Sequence, residues 1–415
     1  MRMMKACRGA RRVNEGAPAD EAIWSIFEKV VTCTPHNGPG ALHSYVAPVS
    51  PATPSGAMSD GEADNGEPAD ARDLFTWLSR EVHELVSHVP RVHGAPRPIQ
   101  FLREFVSANR PVVVTDAFND WPAMERWSLD YLADAMGDTK ISVNVTPDGR
   151  GDALLSTRGW TVSGICRDDE ETPDEVFVLP EERTMTMREF VDMLETPVGD
   201  DHGDVHPSHR PPVPYVSRQC GSLLEEFPKL VGDCSHEMRF ASDAMGKPPD
   251  AVNLWIGDER SETTFHRDHY ENVYCVVRGI KTFHLLPPCD GRLLGYREAP
   301  AAKFTSSREG GTFGVELETP RRLVSWASAT PASLRSRACT VPEDPVVPIV
   351  VEVRAGECLY LPAMWYHHVT QARDERGTPA IAVNYWYDMN FDDRYAYARF
   401  TQEAHARFGG ESTPR

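Results

Sequence analysis

A succession of short apolar runs, at 111–118, 140–145, 214–218, 252–256, 272–286, 350–353, 357–361 and 380–387, constrains this chain more than any other feature. Each is rich in Val, Ile, Tyr or Trp and is bounded by turn-forming residues, the pattern of β-strands. Helical spacing gathers ahead of most of them, at Leu74, Trp77, Leu78, Val82 and Leu85, at Leu129, Leu132 and Met136, and at Phe190, Val191 and Leu194. Many strands with helices drawn to one end of the sequence make a sandwich or barrel with helical decoration, a mainly β chain of α+β class.

The helix starts are marked. Asp73 is an N-cap candidate, Ser128 precedes the second helix with Gly137 as its stop, and Thr186 with Glu189 has the spacing of a capping box. Residues 277–281, centred on Gly279, read as a hairpin turn. Residues 37–72 are rich in Pro, Gly, Ser and acidic residues and bury too little apolar surface to offset their ordering entropy. The first twelve residues carry Arg2, Lys5, Arg8, Arg11 and Arg12 and read as a solvated basic tail, since acidic residues follow at once. The expected organisation is a disordered extension and linker at 1–72, a helical and strand region at 73–200 packing on the barrel, the barrel itself at 201–390, and a C-terminal helix and tail at 391–415.

Forty-three Lys and Arg against 62 Asp and Glu give a net charge of −19 over 415 residues. That balance argues against a nucleic-acid or anionic-membrane binder and suits a basic protein substrate. The nine cysteines include no Cys-x-x-Cys pair, and reduced thiols of a cytoplasmic, also nuclear, protein are the simplest account. No apolar run is long enough to cross a bilayer as a helix.

His266-Arg267-Asp268 carries the chemistry. In an extended strand, residues two apart share a face, so an imidazole and a carboxylate are offered to one ion. The segment 359–369 reads as a second apolar strand and supplies another imidazole, from His367 or His368; periodicity turns one inward without saying which. Two histidines and one carboxylate with open positions are the arrangement of non-haem Fe(II) oxygenases. His-x-Asp alone arises often by chance, and its company strengthens it. Lys281 follows the turn, and a buried ammonium needs an anion such as a dicarboxylate co-substrate. Tyr215 and Thr263 offer hydroxyls to the same carboxylate. Asn272 and Asn384 lie in apolar strands, where an amide either serves a ligand or bonds a neighbouring strand. His269 falls on the opposite face, and Tyr270, Glu271, Tyr366 and Trp386 are candidates for a substrate groove. His202, Asp204, His206 and His209 sit in Pro/Gly/Asp-rich sequence and read as a flexible acidic loop rather than a second metal site. Phosphate-binding loops, nucleophile elbows and His-Glu-x-x-His helices are absent.

These motifs, together with Asn109-Arg110-Pro111, Trp121-Pro122-Ala123 and the stretches 145–149, 249–253, 266–277, 359–369 and 382–389, make the chain resemble the Jumonji-C, cupin-like family of 2-oxoglutarate oxygenases over roughly residues 73–408. The resemblance implies a double-stranded β-helix, the jelly-roll or cupin fold. It implies that His266, Asp268 and His367 ligate Fe(II) and that Tyr215, Thr263, Asn272, Lys281 and Asn384 contact 2-oxoglutarate, Lys281 at the distal carboxylate. With O2 as the other co-substrate, the implied activity is (3S)-lysyl hydroxylation of a protein such as a developmentally regulated GTP-binding protein. Asp rather than Glu in the triad fits that hydroxylase branch. A metal-dependent endopeptidase or a demethylase acting on histone tails, and a non-catalytic cupin binding module, are the alternatives. The first seventy residues, the loop at 197–212 and the stretch 325–348 depart from the family pattern. The segment 392–408 is expected to be a helix that either forms a homodimer, as in related hydroxylases, or packs on its own barrel.

Overall fold

The computed structural model describes residues 71–164, 171–196, 205–306, 312–341 and 344–408; the expected basic tail and nearly all of the linker, with His202 and Asp204, lie outside them. Two sheets form the centre. One orders the strands Arg91–His93, Val112–Thr115, Glu357–Leu361, Tyr270–Arg278, Ala380–Asp388 and Ala251–Gly257. The other orders Ile349–Arg354, Ile280–Leu286, Tyr366–Ala372, Glu262–His266 and Arg150–Gly151. Along the chain the strands alternate between them in two runs: 251–257 lies in the first, 262–266 in the second, 270–278 in the first and 280–286 in the second, and the winding resumes in the second at 349–354 and alternates through 357–361, 366–372 and 380–388. That alternation is a double-stranded β-helix.

Sequence pattern explains why the first sheet is apolar on both faces. Tyr274 and Val276 join Phe283, Leu285, Val351 and Val353 of the opposite sheet in the barrel interior. Their neighbours Val273, Cys275 and Val277 point outward into a second core with Phe101, Trp127, Leu132, Phe190, Phe227 and Phe240 from the helices. A strand covered on both sides reads as a continuous apolar run rather than an alternating one. Among the described residues the cysteines are free thiols. No helix among them is long and apolar enough to cross a membrane.

The helix Leu129–Met136 is capped by the Ser128 side chain, and Met187–Glu195 opens with the Thr186–Glu189 capping box, both as the sequence predicts. Other boundaries moved. The first helix spans Ala71–Leu85, so Asp73 lies inside it rather than capping it, and Leu74, Trp77 and Leu85 face solvent. Its tether is polar: His83 Nε2 lies 2.7 Å from the buried Asp290 carboxylate.

Residues 277–281 do not make a hairpin, because the strands on either side belong to different sheets. They form a corner at which Gly279 has φ +67°, and an added Cβ would stand 2.7 Å from Ala380 Cα and 2.8 Å from the Ala372 carbonyl oxygen. Only glycine fits that crossing. The run 359–369 is likewise two strands, Glu357–Leu361 and Tyr366–Ala372, joined by a turn in which Met364 takes φ +69°. Apolar continuity hid the break, since both strands and the turn are buried.

An accessory sheet was not foreseen. Ala153–Ser156, Glu175–Leu179, Tyr296–Ser306, Phe313–Leu317 and Val162–Ser163 build it, and Leu323–Ala327 pairs with Tyr296–Ser306 at its side. Its strands come from two distant stretches, and the short ones carry little pattern of their own.

Candidate metal and co-substrate site

Glu262–His266 and Tyr366–Ala372 run antiparallel, with Thr263 opposite Val369 and His266 opposite His367. The pairing shifts between these points, a β-bulge. Three residues apart would normally mean opposite faces; the extra residue returns Thr263 and His266 to the same face as Val369 and His367. Strand alternation then puts Gln371 on that face and turns His368 away, where its Nε2 meets Glu262 at 2.8 Å. His367, not His368, is therefore the imidazole beside His266.

Asp268 reaches the same point by another route. The strand ends at His266, so Asp268 belongs to the turn beyond it, and its carbonyl accepts from the Met364 N–H at 2.9 Å. Its Oδ2 lies 3.7 Å from His266 Nε2 and 3.6 Å from His367 Nε2, and the donor atoms of the three residues all fall within 4.8 Å of one another. Donors about 2.1 Å from a shared ion stand between about 3.0 and 4.2 Å apart, according to the angle between them. The observed separations fit one ion.

Both imidazoles are oriented by backbone. His266 Nδ1 bonds the Thr264 carbonyl at 2.9 Å and His367 Nδ1 bonds the Trp365 carbonyl at 3.1 Å. A carbonyl only accepts, so each Nδ1 carries the proton and each Nε2 keeps its lone pair for a metal. Burial, then the neighbouring His266, holds His367 well below the usual imidazole range and keeps it neutral, the state a ligand needs.

Lys281 lies further along the interior. It faces Gln371 across the strand pair, while Leu285 on the same strand faces His367. The ammonium is fully buried, donates to Tyr215 Oη at 3.0 Å and to Gln371 Oε1, and sits 5.0 Å from the centre of the Tyr215 ring. No carboxylate among the described residues pairs with it, and burial pulls it down to about 7. Burial pushes the Tyr215 phenol upward, and the neighbouring Thr263 and Tyr274 hydroxyls work the other way. Gly257 makes room here: a Cβ on it would stand 2.6 Å from Tyr215 Cδ2 and 2.9 Å from Gln371 Nε2.

The two asparagines lie on the interior of the first sheet. Asn384 Oδ1 accepts from Asn253 Nδ2 at 3.1 Å and Trp255 Nε1 at 2.9 Å, and its Nδ2 donates to Asn272 Oδ1 at 3.2 Å. Asn253, Trp255 and Gln371 were not singled out from sequence. Gln371 had a usable signal, being four residues after His367 on one strand.

Other candidates sit elsewhere. Glu271 is buried and held by Tyr360 Oη at 2.7 Å, the Ala363 N–H at 3.1 Å and Arg394 Nη1 at 3.1 Å, so it anchors the C-terminal helix rather than lining a groove. Tyr366 is buried under the Arg267 guanidinium, 5.2 Å from its ring centre. Tyr270 stacks on Trp386 with centroids 4.5 Å apart. His269 lies against Phe391 and Tyr395, and burial lowers it to about 4. Of the acidic loop, His206 caps the turn Pro207–His209 and packs on Trp160, with no metal cluster among the described residues besides the triad.

Together the fold and triad define a cupin-type metal protein, and the profile described as "Cupin-like domain" matches residues 98–393. The chain belongs to this cupin-like, Jumonji-C family, whose enzymes use Fe(II) and 2-oxoglutarate. It is 36% identical over 343 residues to the human bifunctional peptidase and (3S)-lysyl hydroxylase JMJD7, covering 80% of this chain and 90% of that protein. It is 37% identical over 335 residues to the lysine-specific demethylase JMJ32 of Arabidopsis thaliana, covering 78% and 89%. JmjC domain-containing protein E of Dictyostelium discoideum is 31% identical over 346 residues, covering 80% and 93%.

Proposed function

We propose that the chain is an Fe(II)- and 2-oxoglutarate-dependent protein hydroxylase that oxidises a lysine side chain at C3, in a substrate such as a developmentally regulated GTP-binding protein. The observation that carries this reading is the pairing of an open-sided His266, Asp268, His367 triad with a buried, acid-free Lys281 in one interior. Lys281 and Leu285, the strand partner of His367, are four residues apart, about 13 Å along the strand. A lysine side chain and a five-carbon diacid together bridge such a span. When bound, iron, 2-oxoglutarate and O2 supply the oxidising power that places oxygen on a C–H bond and release succinate and CO2.

The chain's own residues position these groups. The Thr264 and Trp365 carbonyls lock the imidazoles so that the metal meets a preset geometry. Lys281, Tyr215 and Thr263 receive the distal carboxylate. Asn272 and Asn384 serve the end nearer the metal, Asn384 being fixed by Asn253 and Trp255. The net charge of −19 favours a cationic segment as the protein partner.

The test is mass spectrometry of a lysine-containing GTPase peptide incubated with the protein, Fe(II), ascorbate and 2-oxoglutarate. A gain of one oxygen with matching succinate is expected. A shortened peptide without 2-oxoglutarate consumption would favour the peptidase reading, and no coupled turnover by the iron-loaded protein would remove the hydroxylase reading.

A further inference from the structure

Thr264 ties two side chains and one backbone carbonyl together beside the triad. Its carbonyl accepts from His266 Nδ1, its hydroxyl donates to the Asp152 carbonyl at 2.6 Å, and the same hydroxyl accepts from Trp326 Nε1 at 2.9 Å. The Trp326 ring lies nearly parallel to that of His266, 8° apart with centroids 6.5 Å distant, and it makes a tilted contact with Phe177 at 4.8 Å. Asp152 follows the short strand Arg150–Gly151, which pairs with Glu262–His266, so its placement is fixed by the strand that carries the metal ligand.

The Asp152 carboxylate has no evident structural task. It lies deep in the protein yet retains accessible surface, and among the described residues no hydrogen bond or ion pair engages it. It is not the orienting partner of His266, because Nδ1 is already taken by Thr264 and Nε2 faces Asp268 and His367. The nearby basic residue, Arg150, is forked onto Asp148. Asp152 also has φ +53°, a left-handed conformation that non-glycine residues adopt rarely and that clusters at functional sites. An unpaired, deeply placed carboxylate is costly unless a cation arrives to meet it.

We propose that Asp152 and the face of Trp326 form a cation subsite next to the metal that selects an alkylammonium side chain on the substrate. The carboxylate bonds the ammonium, and the indole face adds cation–π attraction and covers the aliphatic stem. This deepens the reading of the site as a lysyl hydroxylase and rests on it for the identity of the substrate. Trp326 comes from the stretch that departs from the family pattern, so the subsite joins the barrel to an element outside it.

The test uses the full chain and two fluorescent peptides, a lysine-containing GTPase peptide and its copy with norleucine in place of the lysine, read by fluorescence polarisation with hydroxylation followed in parallel. The lysine peptide is expected to bind the wild-type protein about tenfold or more tightly than the norleucine peptide. That preference is expected to shrink to about twofold in Asp152→Asn and to return in part in Asp152→Glu. Absence of lysine preference in the wild type, through equal binding or none, overturns the subsite without requiring any variant to fold. An unchanged preference in a folded Asp152→Asn protein also overturns it. Preferred binding that depends on Asp152, without hydroxylation of the peptide, leaves the subsite standing and counts against the oxygenase reading alone.

Discussion

Lys281 has lost water on every side and gained only a phenol and an amide in exchange. Its folded value of about 7 lies below the ordinary 10.5, so between these limits the unfolded chain binds more protons and stability without co-substrate rises with pH. A bound dicarboxylate reverses this by favouring the ammonium. Binding of 2-oxoglutarate is therefore expected to take up a proton above pH 7 and to weaken by up to about tenfold per pH unit well above it. Calorimetry in buffers of different ionisation heat reads the proton; equal heats and a flat affinity from pH 7 to 9 would contradict the assignment. Lys281→Met is expected to lower the affinity roughly 10- to 100-fold while the protein remains folded. Gly257→Ala drives a methyl into Tyr215 and Gln371, so KM for 2-oxoglutarate is expected to rise with little change in thermal midpoint. An unaltered KM would show that this wall yields freely. These residues were legible to different degrees. Lys281 and the two asparagines stood out as polar groups in apolar strands, and Gln371 had the spacing from His367 to mark it, whereas Asn253 was visible only once strand pairing set it opposite Asn384.

Strands and turns carry the next level of determination. Glu357–Leu361 has the bounds its sequence predicts, and Ala251–Gly257 differs from its prediction by one residue at each end, because both are buried runs ended by clear turn residues. The break at Pro362–Trp365 and the corner at Gly279 were misread, since an apolar run shows burial but not which sheet buries it. The bulge between Thr263 and His266 is equally silent in sequence, although it puts both residues on one face. The C-terminal helix Asp393–Phe408 is held to the barrel by Arg394, which bridges Glu271 and the Val106 carbonyl. Arg394→Ala leaves the Glu271 carboxylate buried without its cation. Complete burial would make that loss about 3–5 kcal/mol; the partial exposure of Arg394 reduces it to about 2 kcal/mol. Denaturant titration should show the loss, with Glu271→Gln costing less because an amide still accepts from Tyr360; equal costs would mean that charge plays no part.

For the molecule as a whole, the same helix turns one face inward and one outward. Ala398 and Tyr395 pack against Ala363, Met364 and Met389, which agrees with the helix docking on its own barrel. Phe400 and Phe408 remain exposed on it, and Leu74 and Trp77 are exposed on the first helix, whose Phe75 touches His405. Docking on its own barrel leaves these side chains free, and we propose that Phe400 and its exposed neighbours mediate the homodimer that stood as one of the two sequence alternatives. Light scattering across a concentration series is expected to show a dimer that Phe400→Glu dissociates, a constant monomer mass being the adverse result.

By itself the sequence determined the mainly β class, the position of most barrel strands, the His-x-Asp pair and the isolated lysine, because burial and face alternation are written into local residue order. Residue pattern left His367 and His368 open and the family resemblance implied His367; the tertiary structure shows why, by strand register, and it alone decided that Asp268 arrives from a turn and that Asp152 and Trp326 stand beside the triad. Contacts between distant segments depend on strand register, bulges and crossings, and those are set by how whole sheets pack rather than by any stretch of neighbouring residues.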